Sequence, residues 1–234
     1  MAKIVRITND GCIGYEGIQG NELLRKEIAR HSFNWGGSLT SDDIVTTQGC
    51  MEALVFSLLA VTNRGDAVAI ETPGFFRIVS VLKNLGLKVV KIPTDPETGP
   101  DLNYLKTVLP EIKACLFTPN FNNPLGSCMP DTHKKQLVDM LAEHDIPLIE
   151  DDVFGECYFG KTRPRTCKSF DKKGLVLLCS SVSKTLAPGY RVGWCIPGKF
   201  IKKVIQAKLT YSLASPTPTH VAAVEDIVAL SVLV

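Results

Sequence analysis

The chain has 234 residues, of which 45% are apolar and 21% are charged, so it can bury a substantial core in one large domain or one and a half ordinary ones. Its formal net charge is +2, with no basic run and no interleaving of aromatic and basic residues, which argues against nucleic-acid binding by this chain itself. No apolar stretch approaches the ~20 residues that span a bilayer, and the eight scattered cysteines contain no C-x-x-C pair, so we expect a soluble cytoplasmic protein with reduced thiols and without a metal site.

Apolar runs and helical patterns alternate along the chain. The expected strands are 43–47, 66–71, 87–92, 114–118, 146–150, 175–179 and 190–196. The expected helices are 21–33, 49–61, 75–85, 101–109, 131–143, 199–211 and 219–234, with Asp101 and Asp131 as N-caps. Because the strands are nearly continuously apolar, the pattern predicts a three-layer α/β fold with a mostly parallel sheet covered on both faces. No G-x-G-x-x-G follows the early strands, which argues against a nicotinamide-binding Rossmann domain.

Residues 178–194, LCSSVSKTLAPGYRVGW, place a lysine and an arginine on either side of a turn. Lys184 follows a buried strand, and Ser181 and Ser183 surround it, where an amine can be desolvated and lose its proton, as Schiff-base chemistry requires. Arg191 follows the Pro-Gly turn and can bind an anion such as phosphate with its planar fork of donors. A lone Ser-x-Ser-Lys is usually only a surface lysine, so the interpretation depends on the other motifs.

Further candidate residues follow the ends of other strands, where ligands collect in open α/β sheets. In TQGCMEAL a glycine turn precedes a helix, and the free N–H groups of Cys50 and Met51 can bind an anion. In ETPGFF, Phe75 could stack on a planar ligand, although packing into the core is the more common outcome. In NFNNPLG, Asn123 precedes a proline, which by itself indicates a plain turn.

Three consecutive carboxylates, Glu150, Asp151 and Asp152, follow the strand at 146–150. Carboxylates this close repel one another unless a cation neutralises one of them. A metal ion could do so, but no histidine lies nearby in the sequence.

Together these motifs, in this order and spacing, resemble those of the class I/II aminotransferases, the fold type I enzymes that carry pyridoxal 5'-phosphate, over about residues 15–229. The resemblance implies that Lys184 forms a Schiff base with the cofactor and acts as its catalytic base. It implies that Asp151 pairs with the protonated pyridine nitrogen, which keeps the ring an electron sink. The other implied cofactor-binding residues are Cys50, Met51, Ser181 and Arg191 for the phosphate, Phe75 and Asn123 for the ring, and Tyr15 for the phosphate of the partner subunit in a homodimer.

Two details qualify the resemblance. Phe154 stands where the family usually has a tyrosine that hydrogen-bonds the ring oxygen, which leaves Asn123 as the main donor. The form N-x-N-P-L-G-S-x-M-P is closer to the aminotransferase-like domains of MocR/GntR-type regulators. The resemblance therefore leaves three functions open: transfer of an amino group between an amino acid and a 2-oxo acid, effector sensing in a MocR/GntR-type transcriptional regulator, or a truncated remnant without cofactor.

The resemblance also predicts how the chain is divided. Residues 1–40 are expected to be a remnant of the small domain and dimer interface, and residues 41–234 the cofactor-binding large domain. The C-terminal small domain, which carries the arginine for the substrate carboxylate, and any winged-helix DNA-binding region are expected to be absent. We therefore expect this chain alone to transaminate poorly or not at all.

Overall fold

The computed structural model describes the backbone of residues 16–212 and 217–232 and the side chains of residues 16–212 and 219–228. Its helices are α1 (Glu22–His31), α2 (Cys50–Val61), α3 (Phe76–Asn84), α4 (Leu102–Val108), α5 (Asp131–Glu143), α6 (Ile201–Tyr211) and α7 (Thr217–Val232). Its strands are β1 (Val45–Thr47), β2 (Ala67–Thr72), β3 (Lys88–Asp95), β4 (Gly99–Pro100), β5 (Ala114–Phe117), β6 (Leu148–Asp151), β7 (Val176–Ser181) and β8 (Gly193–Ile196). In these two ranges, no helix has the length and apolar character needed to cross a membrane.

All eight strands form one sheet, in the order β1-β8-β7-β6-β5-β2-β3-β4. The five central strands, from β3 through β2, β5 and β6 to β7, are parallel to their neighbours. The pairings of β3 with β4, β7 with β8 and β8 with β1 are antiparallel. The predicted α/β fold with a mostly parallel sheet is therefore confirmed, with antiparallel strands added at both edges.

Successive residues of the central strands pack on opposite faces of the sheet, as the period of two requires. Ile70, Leu116, Ile149 and Leu177 join one core cluster together with α2, α3 and α6. Their immediate neighbours in the sequence, such as Ala69, Cys115, Leu148 and Val176, join a second cluster with α4 and α5. A third cluster packs α1 and α7 against the β7–β8 end of the sheet. Burial on both faces explains why the strands are apolar throughout rather than alternating.

Most helix boundaries agree with the sequence pattern to within one or two residues, but one predicted cap is wrong. Asp101 caps α4 as expected and accepts from the N–H groups of Asn103 and Tyr104 at 2.9 and 3.0 Å. Asp131 is not an N-cap, because Pro130 occupies that position and Asp131 is the first residue of α5. The two-residue strand β4 was not predicted, because it is too short to show any periodicity.

The sheet brings several loops to one edge. Strand β1 is antiparallel to β8, and β8 is antiparallel to β7, so the carboxyl ends of β1 and β7 lie on the same side as those of β2, β5 and β6. Gly193, the first residue of β8, pairs with Thr47 on one side and Ser181 on the other. A Cβ atom at Gly193 would lie 2.5 Å from the carbonyl carbon of Gly49, so this glycine allows the β1–α2 loop to cross close over β8.

Candidate functional site

Arg191 lies against the loop between β1 and α2. Its backbone is left-handed, with φ 53° and ψ 37°, directly after the short turn Pro188–Tyr190. Its Nη2 donates to the carbonyl oxygen of Gln48 at 2.8 Å, and its Nη1 donates to that of Pro188 at 3.2 Å. The guanidinium therefore lies at the amino end of α2, where the first backbone N–H groups have no acceptor within the helix. A guanidinium beside the free N–H groups of a helix N-terminus is an arrangement that can bind an anion.

Gly49 permits this approach of the arginine to the helix. Its φ is 91°, and a Cβ atom there would lie 2.3 Å from Nη2 of Arg191. Real Cβ atoms do not approach other atoms this closely, so any side chain at residue 49 would displace the guanidinium. The position of the Arg191 guanidinium therefore depends on a glycine at residue 49.

Lys184 lies three residues beyond the end of β7, and its side chain is exposed. The prediction that Ser181 and Ser183 would bury this amine is wrong. Ser181 is buried, but its Oγ accepts from the backbone N–H of Ser183 at 3.3 Å, so the serines close a local turn instead of enclosing the lysine. The Nζ atom of Lys184 lies 5.4 Å from the ring centroid of Phe154. An ammonium over an exposed aromatic face is stabilised by about 0.5–1 kcal/mol.

Asp151 is buried at the end of β6 and receives hydrogen bonds from two neutral donors. The Sγ–H of Cys50 donates to its Oδ1 over 3.4 Å, and the N–H of Val153 donates to the same atom over 3.1 Å. Burial raises the pKa of Asp151 to about 6. Burial, together with the charge of Asp151, raises the pKa of the Cys50 thiol well above its usual value, so the thiol keeps its proton and remains a donor. Cys50 therefore begins α2 and also contacts the carboxylate on β6.

The other two carboxylates of the β6 segment have separate roles. Asp152 forms a buried ion pair with Arg163 and accepts from Asn120 Nδ2 at 2.8 Å. Glu150 accepts from the N–H groups of Cys167 and Lys168 at 2.7 and 2.9 Å, and burial followed by the charge of Asp152 raises its pKa to about 7. The cation that the sequence required is therefore Arg163. Within residues 16–212 and 217–232, no three His, Cys, Asp or Glu side chains are grouped to hold a metal ion.

The loop between β5 and α5, which contains the motif NFNNPLG, is anchored by Asn120. This residue was not among the candidates from the sequence. Its Nδ2 donates to Asp152 and to the carbonyl oxygen of Arg165, while its Oδ1 accepts from the buried Nζ of Lys134 at 2.7 Å. The predicted ring-binding residue Asn123 is exposed on the same loop. The anchor thus fixes the base of the loop and leaves Asn123 accessible.

Phe75 occupies the N-cap position of α3, directly after the turn that follows β2. It is half-buried and packs against the first core cluster, and its ring meets Phe76 edge to face at 5.4 Å. The packing of Phe75 against the core is confirmed, while its stacking on a planar ligand stays a prediction. Met51 is half-buried in the first turn of α2, and Tyr15 lies outside the described residues.

Glu71 is a further buried carboxylate at this edge. Its Oε2 accepts from the N–H of Thr118 at 2.7 Å, while its Oε1 is buried and has no hydrogen-bond partner among the described residues. Burial raises the pKa of Glu71 from 4.5 to about 7. The folded chain therefore binds this proton more tightly than the unfolded chain between pH 4.5 and 7.

We expect Glu71→Gln to change the pH dependence of stability. In the native chain, the ionisation of Glu71 lowers the free energy of unfolding as pH rises through this window, by about 3 kcal/mol in total. The glutamine variant lacks that contribution, so its free energy of unfolding relative to that of the native chain should increase from pH 4.5 to pH 8. Urea unfolding of both proteins across this range measures the difference. Parallel pH profiles would contradict the assignment.

The chain as a whole is similar to known proteins. Residues 3–226 match the sequence model of the family described as aminotransferase class I and II, so the chain belongs to that family. In overall structure it is similar to an archaeal alanine:glyoxylate aminotransferase, with a TM-score of 0.89 and 25% identity over 97% of this chain and 58% of that one. It is also similar to LysN, the alpha-aminoadipate aminotransferase of Thermus thermophilus, crystallised with N-(5'-phosphopyridoxyl)-L-leucine, with a TM-score of 0.88 and 26% identity over 96% and 58% of the two chains.

The curated relatives with higher identity are regulators. The chain is 41% identical over 225 residues to the "uncharacterized HTH-type transcriptional regulator YjiR" of Escherichia coli (strain K12), covering 95% of this chain and 48% of that protein. It is 41% identical over 208 residues to YdcR of the same strain, described in the same words, covering 88% and 44%. The chain thus spans about half the length of the curated relatives it matches.

Proposed function

We propose that this chain binds pyridoxal 5'-phosphate at the carboxyl edge of the sheet and holds it through the amine of Lys184. The observation that carries the proposal is the contact of the Arg191 guanidinium with Gln48 and Gly49 at the amino end of α2. The contact puts the guanidinium beside the free N–H groups of α2, where both could bind a phosphate group, and Gly49 leaves room for the guanidinium. The family and the ligand of the Thermus thermophilus enzyme support the choice of this phosphate compound.

The residues at this edge suit the two ends of the cofactor. The phosphate would be held by the backbone N–H groups of Cys50 and Met51, by Ser181 and by Arg191. At the other end, the hydrogen-bond donors to Oδ1 of buried Asp151 among the described residues are both neutral, so a protonated pyridine nitrogen would supply a cation to pair with it. Phe75 would stack on the ring, and Asn123 would donate to the ring oxygen. Tyr15 would reach the phosphate in the partner subunit of a homodimer.

The cofactor supplies an electron sink for carbanion chemistry at the α-carbon of an amino acid when it is bound. Lys184 Nζ contributes the amine that holds it and then moves a proton to and from that carbon. Asp151 keeps the pyridine nitrogen protonated. Phe154 cannot donate a hydrogen bond, so Asn123 would be the main donor to the ring oxygen. In the catalytic form of this proposal, an amino group passes between an amino acid and a 2-oxo acid.

A second function uses the same site for sensing. It is favoured by the two regulators at 41% identity, of which this chain spans about half. In this form the chain is the effector-sensing domain of a MocR/GntR-type regulator, and the amino acid or 2-oxo acid is the effector. Residues 1–40 would form part of the dimer interface, and residues 41–234 would form the cofactor-binding domain. In a longer protein, repeated turnover would favour the enzyme, whereas DNA binding that changes with an amino acid would favour the regulator.

Cofactor binding is tested by absorption spectroscopy followed by chemical trapping. We expect the chain to acquire a visible absorption band when titrated with pyridoxal 5'-phosphate, because the imine of an aldehyde and a lysine absorbs there. Borohydride should fix the label, and peptide mapping should place it on Lys184. Pyridoxamine 5'-phosphate has no aldehyde, so borohydride should not fix it. A spectrum unchanged from that of the free cofactor, or a label on another lysine, would overturn the proposal, and the unchanged spectrum would favour a remnant without cofactor.

A further inference from the structure

A hydrogen bond connects the turn before Arg191 to the last described helix. The hydroxyl of Tyr190 donates to Oδ2 of Asp226 on α7 at 2.6 Å. The hydrogen bond to the Asp226 carboxylate raises the pKa of Tyr190, so the phenol keeps the proton that it donates. Tyr190 immediately precedes the arginine that approaches the amino end of α2.

Helix α7, which carries Asp226, packs into the third core cluster. Ala223 and Ile227, one helical turn apart, are buried in the third core cluster together with Val182 and Val192, which flank the Lys184–Arg191 turn. Asp226 lies next to Ile227, and Tyr190 also packs against this cluster. The helix is therefore packed into the same apolar cluster as both ends of the turn, which holds Asp226 in position to accept from the tyrosine.

The turn itself needs such support. Its two ends are joined by the N–H of Val182, which donates to the carbonyl oxygen of Val192 at 3.1 Å. Within the turn, the N–H groups of Tyr190 and Arg191 donate to Ala187 and Pro188 over long distances of 3.3 Å. Arg191 adopts left-handed backbone angles, which are unfavourable for a residue with a side chain. Contacts outside the turn help to hold this conformation: Arg191 Nη2 donates to the carbonyl oxygen of Gln48, and the bond from Tyr190 to Asp226 is the second such contact.

We propose that Tyr190 and Asp226 are positioning residues, which hold Arg191 in the conformation that binds the phosphate group of the cofactor. The inference rests on the proposed function. It differs from a purely structural role, because a bond that only secured α7 would affect the stability of the fold and not one chemical group of the ligand.

The test compares two ligands that differ only in the phosphate group. Dissociation constants for pyridoxal 5'-phosphate and for pyridoxal are measured by absorption titration of the native chain, Tyr190→Phe, Asp226→Ala, Asp226→Asn and the double variant Tyr190→Phe/Asp226→Ala. We expect Tyr190→Phe and Asp226→Ala each to weaken binding of the phosphorylated ligand about fivefold, the value of one net hydrogen bond, and to leave pyridoxal binding unchanged. The binding of inorganic phosphate, measured by competition, should weaken by the same factor in these variants.

Two comparisons sharpen the result. Asp226→Asn keeps an oxygen that accepts from the tyrosine, so it should restore most of the affinity. The double variant should be no weaker than either single variant, because both remove the same bond. Tyr104→Phe, on a half-exposed tyrosine of α4, is the matched control and should bind both ligands like the native chain.

The outcomes separate the two proposals. Equal weakening for pyridoxal and its phosphate, or no change in either, would overturn the positioning role while the label on Lys184 remained. If Asp226→Ala fails to fold, Tyr190→Phe, which loses only a hydroxyl, gives the answer alone. If the native chain binds neither ligand, the proposed function itself is wrong.

Discussion

The Lys184→Ala chain is expected to remain folded and to show no absorption band beyond that of free pyridoxal 5'-phosphate, whereas the native chain is expected to gain the band of a lysine imine. The side chain of Lys184 is exposed and contacts the Phe154 ring, so its removal leaves no cavity in the core. Substitutions at such positions usually change stability by less than about 0.5 kcal/mol. The loss of colour would therefore reflect the loss of the amine, not of the fold. Absorption spectra before and after borohydride, together with thermal unfolding, measure the two quantities separately.

A matched control uses another exposed lysine. Lys203 lies on α6, and Lys203→Ala should keep both the band and the borohydride label. Phosphate binding in Lys184→Ala should survive, because Arg191 and the α2 N-terminus are unchanged. The Lys184→Ala chain should therefore still bind pyridoxamine 5'-phosphate, which needs no amine from the protein. An unchanged visible spectrum in Lys184→Ala would show that another residue holds the cofactor.

Gly49→Ala is expected to weaken binding of pyridoxal 5'-phosphate by about 10- to 100-fold, which corresponds to the loss of one charge-assisted hydrogen bond to the phosphate. The new Cβ atom would lie 2.3 Å from Nη2 of Arg191, so the guanidinium must move away from the amino end of α2. The backbone at residue 49, with φ 91° and ψ 169°, is also one that only glycine adopts readily. Titration with the phosphorylated cofactor and with pyridoxal measures the effect.

Gly65→Ala separates the backbone effect from the collision. Gly65 has a φ of 95°, similar to that of Gly49, but a Cβ atom there would meet nothing within 4 Å. Both variants should lose stability from backbone strain, on the order of 1–3 kcal/mol, when urea unfolding is compared. Only Gly49→Ala should lose affinity for the phosphorylated ligand. Equal affinities in the two variants would mean that Arg191 does not hold the phosphate.

The fold follows from local patterns to a large degree. Strands buried on both faces are apolar throughout, and helices separate most of them along the chain, so the layers and the parallel centre of the sheet could be predicted. The N-cap Asp101 could be predicted because a cap is a contact between near neighbours in the sequence. The prediction that Asp131 is an N-cap was wrong by one residue, because α5 begins at Asp131 itself and Pro130 occupies the N-cap position. Which strands add antiparallel edges depends on long-range pairing and left no signal in the sequence.

The candidate site could be predicted from the sequence only in part. The sequence placed Cys50, Asp151, Lys184 and Arg191 at strand ends, and the sheet brings those ends to one edge. It could not show that Cys50 donates to Asp151, because side-chain contacts between distant segments depend on the register of the strands. The missed residues Asn120 and Arg163 lie within loops that have no regular period. The exposure of Lys184 was also missed, because a hydroxyl next to a lysine can bind either the backbone or the amine.

The position of Gly193 between Thr47 and Ser181 has a consequence for how the protein folds. The loops proposed to bind the phosphate belong to segments far apart in the chain, and they meet only when β1 and β7 have both paired with β8. An unfolded chain therefore has no such site, so the free energy of ligand binding adds to the free energy of folding. At a free ligand concentration about one hundred times the dissociation constant, this linkage stabilises the folded state by about 2.7 kcal/mol. Supply of the cofactor in the cell would then govern how long the folded chain persists, as well as what it does.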